Sequence, residues 1–211
     1  MNPTCPLCHQ NSTRQYFISE KNSCFECTVC GTVFKPPSLF PNLKQEKERY
    51  LEHNNNVEDT RYQSFVTPIV VFILEQFETE KVGLDFGAGT GPVISKLLIE
   101  KGFKVALYDP FFYPDKSCLE NSYDFVICCE VIEHFHDPAK EFQLLRKLLK
   151  PEGKLICMTD LLPKKEKFQK WYYKNDPTHV IFYSQKNINW IKENFDFTQV
   201  IIDNRLIVFN V

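Results

Sequence analysis

The fold of this chain is decided by one stretch, Val82-Gly83-Leu84-Asp85-Phe86-Gly87-Ala88-Gly89-Thr90-Gly91-Pro92. Its first five residues predict a short strand, and the glycines that follow predict a tight loop. Pro92 suits the first turn of the next helix, and Gly102 stands just beyond the end of that helix. Glycines at such a turn let backbone N–H groups approach a ligand, and the N-terminus of a helix favours negative charge. We therefore predict a strand, a ligand-binding loop and a helix over residues 82–101.

The alternation of strand and helix continues after this unit. A helix begins after Asp137-Pro138, and its apolar positions share one face. Strands that alternate with helices form a mostly parallel sheet. The last two strands differ, because only the two-residue turn Asp203-Asn204 separates them, which predicts an antiparallel hairpin. The strands predicted after the glycine loop are 104–109, 123–129, 154–159, 200–202 and 205–209.

The spacing of the glycines distinguishes two classes of ligand. Dinucleotide sites use the pattern G-x-G-x-x-G, whereas here the third glycine, Gly91, comes one residue early and Pro92 takes the required position. The pattern G-x-G-x-G, preceded by the acidic Asp85, instead resembles motif I of class I S-adenosylmethionine-dependent methyltransferases. A hydride-transfer enzyme and a non-catalytic cofactor-binding fold that serves as a platform for partners are the alternatives.

Three further features carry this resemblance across about residues 65–211. Asp109 ends the second strand, where the family holds an acid for the ribose hydroxyls of the cofactor. Residues 123–134 resemble the family's fourth strand and the loop after it. Residues 148–155 resemble its L-K-P-G-G-x-L turn, with Glu152 in place of the first glycine. The C-terminal hairpin also matches the family.

The resemblance implies an α/β fold with a Rossmann-like sheet and an enzyme that uses S-adenosylmethionine. It implies that the glycine loop holds the methionine end of the cofactor and that Asp109 with Pro110 meets the ribose. It also implies that Glu130 and Val131 flank the sulfonium. The implied loop residues are Asp85, Gly87, Ala88, Gly89 and Gly91.

One segment departs from the family pattern. Only 13 residues separate Asp109 from Tyr123, where the family has a helix, a strand and another helix. We therefore predict that the sheet lacks its usual edge strand. The acid that meets the adenine amino group is also not evident. Adenine is instead expected against the aromatic residues 111–113 and the backbone near Cys118 and Leu119.

Methyl transfer from a sulfonium is a direct displacement, so catalysis can come largely from positioning the acceptor in line. A base is needed only where the acceptor carries a proton. Two histidines are candidates for catalytic contact with the acceptor: His134, at the carboxyl end of a central strand, and His179, in an aromatic-rich link. Alternatively, Asp176-Pro177 forms a turn on which His179 only packs. His134 and His136 are two residues apart, but no third ligand is evident, so we predict no metal site there. His53 is expected at the surface.

The N-terminus carries a separate chemical signal, because five of the nine cysteines lie in the first 30 residues. Two C-x-x-C pairs stand 18 residues apart. Four thiolates at this spacing complete the tetrahedron that Zn²⁺ prefers, so we predict a zinc ribbon that needs its metal to fold. Cys24 and His9 are weaker candidates as ligands. The predicted ligands are Cys5, Cys8, Cys27 and Cys30.

The composition limits the partners. The chain has 211 residues, with 25 Lys and Arg against 27 Asp and Glu, and a formal net charge of −2. A strongly basic, phosphate-tracking surface is therefore not predicted, although the basic, aromatic residues 164–171 form either a phosphate contact or a solvated helix face. No apolar run reaches the ~20 residues that span a membrane, and the first residues lack the pattern of a secretory signal. We expect a cytoplasmic protein.

The sequence leaves two classes of methyl acceptor open, RNA and small molecules. Zinc-ribbon heads occur on ribosomal-RNA guanine methyltransferases, whose start resembles Cys5-Pro6-Leu7-Cys8-His9-Gln10. They also occur on methyltransferases of sugars and other small molecules. Because the first 41 residues carry few basic side chains, we predict a small-molecule acceptor, with RNA as the alternative. The ribbon then either recognises the acceptor or packs as a structural head. The predicted units are a zinc ribbon at 1–41, a helical linker at 42–64 and a methyltransferase domain at 65–211.

Overall fold

The computed structural model describes residues 2–20, 22–52 and 55–211, so His53 lies outside the described residues. The described chain forms ten strands and six α-helices, with short 3-10 turns between them. The strands are β1 Thr13–Phe17, β2 Cys24–Cys27, β3 Val33–Phe34, β4 Val82–Phe86, β5 Lys104–Tyr108, β6 Tyr123–Cys129, β7 Leu149–Met158, β8 Ile181–Phe182, β9 Gln199–Asp203 and β10 Leu206–Asn210. The helices are α1 Leu43–Leu51, α2 Thr60–Gln76, α3 Val93–Glu100, α4 Pro138–Lys147, α5 Lys165–Phe168 and α6 Gln185–Asn194.

The larger sheet has the strand order β5-β4-β6-β7-β10-β9. The first four strands of this order are parallel, and β10 pairs antiparallel with both β7 and β9. This confirms the mostly parallel sheet with a C-terminal hairpin. Because the parallel strands share one direction, their carboxyl ends meet at one edge, where open α/β sheets bind ligands.

The segment between β5 and β6 confirms the predicted loss of an edge strand. Within residues 104–129, β5 lies at the edge of the sheet, and the chain passes directly to β6. It does so through a single bridge between Asp109 and Tyr113 and a 3-10 turn at Lys116–Glu120.

The core lies on both faces of this sheet. Side chains of β6 alternate between them: Phe125 packs with α2 and α3, while Val126 packs on the face that holds α4 and α6. A strand that is covered on both faces favours apolar residues, which explains the apolar run after Asp124. Within the described ranges, no helix has the length and apolar character needed to cross a bilayer.

Two predicted boundaries were wrong. Leu206 pairs with Asp203, so the hairpin loop is Asn204-Arg205 and not Asp203-Asn204. Asn204 takes a φ of 56°, which asparagine tolerates better than most residues. The strand predicted at 154–159 begins earlier, at Leu149, and the irregular start of β7 leaves Glu152 with a φ of 64°, a conformation that favours glycine.

The smaller sheet joins the N-terminal residues to the rest of the protein. Its order is β1-β2-β3-β8, and β8 comes from the C-terminal half of the chain. Phe34 of β3 faces Ile181 of β8, and the Lys35 N–H donates to the Val180 carbonyl at 2.8 Å. The ribbon is thus docked on the larger unit by backbone pairing. The boundaries at 41 and 64 stay predictions, and α2 begins at Thr60, inside the predicted linker.

Candidate functional site

A cavity of about 1320 Å³ lies at the carboxyl ends of β4, β5 and β6. Its floor is formed by the glycine loop at residues 86–90 and by residues 108–112 after β5. Its cover is formed by α1 and by the segment 172–179, which we call the link. The predicted helical linker therefore contributes a wall of the cavity.

Close contacts leave no room for a side chain at two glycines of the loop, Gly87 and Gly91. Gly87 has a φ of 82°, and a Cβ there would lie 2.5 Å from Cγ2 of Val131. A Cβ at Gly91 would lie 1.7 Å from the carbonyl oxygen of Asn55. The loop is thus clamped between the residue after β6 and the segment before α2. Of the predicted loop residues, Gly87, Ala88 and Gly89 line the cavity.

Asp109 ties the glycine loop to the turn after β5. Its Oδ2 accepts a hydrogen bond from the Gly89 N–H at 3.0 Å, and its Oδ1 accepts from the N–H groups of Phe111 and Phe112. A carboxylate has about four acceptor positions, so capacity remains for a ligand hydroxyl. Asp109 and Pro110 both line the cavity, and the predicted ribose contact stays a prediction.

Asp85 lies beneath the loop. It is buried, and the Ser95 hydroxyl on α3 donates to its Oδ2 at 2.7 Å. Burial raises the pKa of Asp85 to about 6. Asp85 and Gly91 are not among the described residues that line the cavity, so any effect they have on a bound cofactor passes through the loop.

The predicted adenine contacts are only partly at the cavity. Phe111 and Phe112 line it, whereas Cys118 and Leu119 are not among the described lining residues. The carbonyl of Cys118 accepts a hydrogen bond from the Tyr123 hydroxyl at 2.7 Å, which turns this segment toward the sheet.

Glu130 begins a polar cluster at the end of β6. Its φ is 52°, and Val131 after it packs on the glycine loop. One nitrogen of Arg205 donates to both Glu130 oxygens, at 2.7 and 2.8 Å, and the Tyr173 hydroxyl oxygen lies 3.1 Å from Oε2. Burial, and then the nearby Glu133, raise the pKa of Glu130, while Arg205 opposes them.

Glu133 is the most buried member of this cluster, with no exposed surface. Its Oε1 accepts from the Tyr173 hydroxyl, and that hydroxyl also meets Thr159 Oγ1 at 2.9 Å. Its Oε2 has no hydrogen-bond partner among the described residues. Burial raises the pKa of Glu133 to about 7.

The two predicted histidines meet beside Glu133. The ring centroids of His134 and His179 are 4.8 Å apart, with the rings edge to face. Nδ1 of His134 is 2.9 Å from the Thr178 carbonyl, and Nδ1 of His179 is 2.8 Å from the Tyr173 carbonyl. A carbonyl only accepts, so each Nδ1 carries the proton. Burial lowers the pKa of both histidines, that of His179 to about 3, and each neutral ring keeps a lone pair on Nε2.

His136 turns to a different neighbour. Its Nε2 lies 3.1 Å from Glu46 on α1, and its ring packs on Phe40 at 4.5 Å. The 3-10 turn ends at His134 and the chain becomes extended at Phe135, so the two histidines contact different neighbours.

Sequence reasoning missed Glu133, Tyr173 and Arg205 as site residues. The spacing Glu130-x-x-Glu133-His134 at the carboxyl end of a strand was a signal for Glu133. No local sequence pattern identifies Tyr173 or Arg205 as site residues, because their contacts join segments far apart in the chain. The expected turn at Asp176-Pro177 is present, since Asp176 Oδ1 accepts from the Thr178 N–H and hydroxyl. His179 follows that turn and still lines the cavity.

The four predicted zinc ligands converge in the ribbon. Their sulfur atoms all lie within 4.8 Å of one another, with 3.5 Å between Cys5 and Cys30 and 3.4 Å between Cys8 and Cys27. A tetrahedral Zn²⁺ at about 2.3 Å from each sulfur separates the sulfurs by roughly 3.8 Å, so the cluster fits the metal. Cys24 is not part of this group.

Both cysteine pairs sit in knuckles of the same construction. In each, the N–H of the residue after the second cysteine donates to the carbonyl of the first cysteine at 3.0 Å. That residue has a positive φ in each case, 56° at His9 and 78° at Gly31. His9 therefore serves the backbone turn, and its side chain is exposed.

Comparisons with known proteins agree with this geometry. Residues 59–201 match the family model of a methyltransferase domain. No curated protein sequence matches the chain. Among solved structures, an O-methyltransferase family protein from Burkholderia thailandensis is 14% identical with a TM-score of 0.50, covering 82% of this chain and 64% of that one. The PH0226 protein from Pyrococcus horikoshii is 17% identical with a TM-score of 0.50, covering 77% of this chain and 98% of that one.

The two likenesses with a TM-score of 0.50 show the fold. A methyltransferase of calicheamicin biosynthesis, bound to S-adenosylhomocysteine, is 14% identical with a TM-score of 0.49, and the chain covers 60% of it. The chain thus spans less than two thirds of several of the structures that it matches. The family match covers more than half of the chain, and the mostly parallel sheet with its C-terminal antiparallel hairpin agrees with the fold that the resemblance implied. The chain therefore belongs to the methyltransferase-domain family and has the Rossmann-like methyltransferase fold.

Proposed function

We propose that this protein transfers a methyl group from S-adenosylmethionine to a small acceptor that is neutral or cationic. The observation that carries the proposal is the charge of the cavity wall. Among the described residues, its two guanidinium groups, Arg49 and Arg205, are both paired with carboxylates. Because six carboxyl groups line the cavity against these two guanidinium groups, the wall is acidic and repels the phosphates of RNA. The lining carboxylates are Glu46, Glu52, Asp109, Glu130, Glu141 and Asp176.

The size of the cavity supports two ligands side by side. Sites for one small ligand enclose about 300–1000 Å³, and this cavity encloses about 1320 Å³. The glycine loop and the histidine pair line different parts of it. A cofactor over the loop therefore leaves room for a small acceptor beside the histidines.

The chain's own residues divide into two groups in this proposal. Gly87, Ala88 and Gly89 hold the methionine end of the cofactor, and Asp109 with Pro110 receives the ribose. Glu130 and Val131 lie at the sulfonium, with Asp85 and Gly91 shaping the loop from below. When bound, S-adenosylmethionine supplies a methyl group that the lone pair of the acceptor displaces from sulfur, leaving S-adenosylhomocysteine. His134 and His179 face the acceptor as neutral rings.

We infer that the four ribbon cysteines hold Zn²⁺ in a structural role. Four thiolates leave no open position on the metal, so the ion stabilises the knuckles and takes no part in the transfer. The ribbon's β3 pairs with β8, which directly follows the link and His179. The metal therefore supports the position of His179 through the sheet.

The test uses methyl-labelled S-adenosylmethionine, the purified full-length protein and an extract of cells that lack the gene. We expect label in the acid-soluble fraction. Label in a nuclease-sensitive precipitate would instead establish RNA as the acceptor. The basic residues 164–171 would then be the expected contact with the RNA phosphates. Binding of the cofactor with no transfer into either fraction would favour the non-catalytic platform.

The cofactor assignment is tested separately by calorimetry. Asp109→Asn should weaken binding of S-adenosylmethionine at least tenfold. The matched control is Asp115→Asn, an exposed acid in the same loop that caps the 3-10 turn through the Ser117 N–H at 2.9 Å. Equal affinities in the two variants would overturn the ribose assignment.

A further inference from the structure

We propose that Glu133, His134 and His179 form a second metal site, for a first-row divalent cation, at the acceptor end of the cavity. One ligand atom from each of the three residues lies within 4.8 Å of the other two. They come from two segments far apart in the chain, a 3-10 turn after β6 and the link. The Val180 N–H donates to the Glu133 carbonyl at 2.9 Å, which holds the two segments together.

The hydrogen bonds of the histidines prepare both rings as metal ligands. Each Nδ1–H is directed at a backbone carbonyl, that of Thr178 for His134 and that of Tyr173 for His179. A carbonyl on one ring nitrogen fixes the tautomer and leaves the other nitrogen unprotonated, as is usual for metal-bound histidine. Two neutral nitrogen donors therefore stand beside one buried carboxylate.

The carboxylate itself has an unused donor atom. Glu133 has no exposed surface, and its Oε2 has no hydrogen-bond partner among the described residues. Buried polar atoms are nearly always partnered. Arg205 donates to both oxygens of Glu130 through one nitrogen, and its Nε, like Glu133 Oε2, has no partner among the described residues. A cation that binds Oε2 would supply the missing partner.

Direct bonding within the cluster does not account for the arrangement. Nε2 of His134 lies 4.0 Å from Oε1 of Glu133, which is too long for a hydrogen bond. A metal at about 2.1 Å from each ligand would draw the three donor atoms to roughly 3–4 Å apart. Small side-chain rotations reach that spacing from the observed one.

The donor set indicates the class of ion. Two imidazole nitrogens and one carboxylate suit Zn²⁺, Mn²⁺ or Fe²⁺, whereas Mg²⁺ and Ca²⁺ prefer sites made of oxygen alone. Three protein ligands leave positions open for substrate. His134 and His179 line the cavity, so the open positions face the space assigned to the acceptor.

The site deepens the proposed function and rests on it for the methyl transfer to a small acceptor, which the metal would identify as a hydroxyl compound. A hydroxyl oxygen bound to the metal loses its proton to solvent water more easily. The oxygen lone pair then forms the bond to the methyl carbon, and the electrons of the carbon–sulfur bond stay on sulfur. The acceptor gains a methyl ether, and S-adenosylhomocysteine is left.

The test measures binding of Mn²⁺ to the full-length protein after the ribbon has been loaded with one equivalent of Zn²⁺. Thiolates select Zn²⁺ over Mn²⁺, so the ribbon does not compete. Loss of the free Mn²⁺ signal in electron paramagnetic resonance should reveal one site. Glu133→Gln and His179→Ala should each weaken binding at least tenfold. The control is His136→Ala, which lies two residues from His134 but faces Glu46 and should bind Mn²⁺ as the unchanged protein does.

Each outcome decides between the two proposals. Equal Mn²⁺ binding by all variants, or none by the unchanged protein, would overturn the metal site and leave the methyl transfer standing. Mn²⁺ binding at this site without transfer to any acceptor would uphold the site and overturn the proposed function. If His179→Ala does not fold, as judged by circular dichroism, Glu133→Gln alone carries the comparison because it preserves the shape of the side chain.

Discussion

Arg49 on α1 and Asp176 in the link form an ion pair across the cover of the cavity. Nε and Nη2 of Arg49 both donate to Oδ2 of Asp176, at 3.1 and 2.8 Å. Burial acts to raise the pKa of Asp176, but hydrogen bonds from Arg49 and Thr178 outweigh it and hold the pKa below its usual range. The pair joins the helix before the methyltransferase sheet to the segment that carries His179, so it connects the two parts of the cover.

Arg49→Met should therefore loosen the cover with little effect on the fold. We expect S-adenosylmethionine to bind about fivefold more weakly, which corresponds to roughly 1 kcal/mol for a partly buried pair. Limited proteolysis should cut faster between residues 42 and 64. The control is Arg61→Met, because Arg61 is exposed and, in the part of the chain that the structure describes, its ion pair is with Asp59 beside it. Equal cleavage of both variants would mean that the ion pair does not hold the cover.

The buried Asp85 should give the stability of the protein a pH dependence of unusual sign. Its folded-state pKa of about 6 lies above the ordinary value of 3.8, so ionisation costs stability as the pH rises from about 4 to 6. Below pH 4 the carboxyl is neutral in both states and the cost vanishes. Asp85→Asn should thus be more stable than the unchanged protein above pH 6, by up to about 3 kcal/mol, with a difference that shrinks toward pH 4.

The measurement is chemical denaturation from pH 4 to 8 without cofactor. Asp124→Asn serves as the contrast, because hydrogen bonding to Lys150 at 2.7 Å overcomes burial and lowers the pKa of Asp124. That variant should be the less stable one above pH 4, where the carboxylate is charged. If the free energy of unfolding of Asp85→Asn differed from that of the unchanged protein by a constant amount from pH 4 to 8, Asp85 would have an ordinary pKa in the folded protein.

Loss of zinc should affect residues far from the ribbon in sequence. Cys8→Ser removes one of the four sulfurs, and we expect the bound zinc to be lost and the melting temperature to fall. Because β3 pairs with β8, amide exchange at Ile181–Phe182 should also accelerate. Cys24→Ala should keep one zinc per chain, since its sulfur lies outside the group of four. Unchanged exchange at β8 in the zinc-free protein would mean that the two units are stable independently.

The contact between Gly91 and Asn55 should make the glycine loop intolerant of a methyl group. A Cβ at Gly91 meets the Asn55 carbonyl oxygen at 1.7 Å, so Gly91→Ala must displace the segment before α2. We expect a loss of about 1–3 kcal/mol in the free energy of unfolding, with weaker binding of S-adenosylmethionine. Gly102→Ala is the control, because its φ of 94° also imposes strain but its neighbours lie 3.6 Å or more away and far from the cavity. If Gly91→Ala kept its affinity for S-adenosylmethionine, the contact between Gly91 and Asn55 would not contribute to cofactor binding.

Local sequence patterns were enough to predict most elements of the larger sheet and the cysteine knuckles. The strand and glycine loop at 82–91, the short connection after Asp109 and the two cysteine knuckles each depend on residues a few positions apart. Backbone conformation and knuckle geometry are set at that range, so spacing alone carries the information. The one-residue error at the C-terminal hairpin arose where two adjacent polar residues, Asp203 and Asn204, suited the turn equally well.

Contacts between distant segments were decided only by the tertiary structure. The sequence of β8 is two residues long and carries no signal of its own, yet its pairing with β3 docks the ribbon. Glu133 and His179 lie 46 positions apart and meet because β6 and the link end at the same edge of the sheet. Which side chains converge there depends on how helices and strands pack against each other, a property of the whole fold. The sequence by itself therefore determined the family and the four-cysteine cluster, and the packing of the folded chain decided the cover, the acidic cavity wall and the histidine–carboxylate cluster.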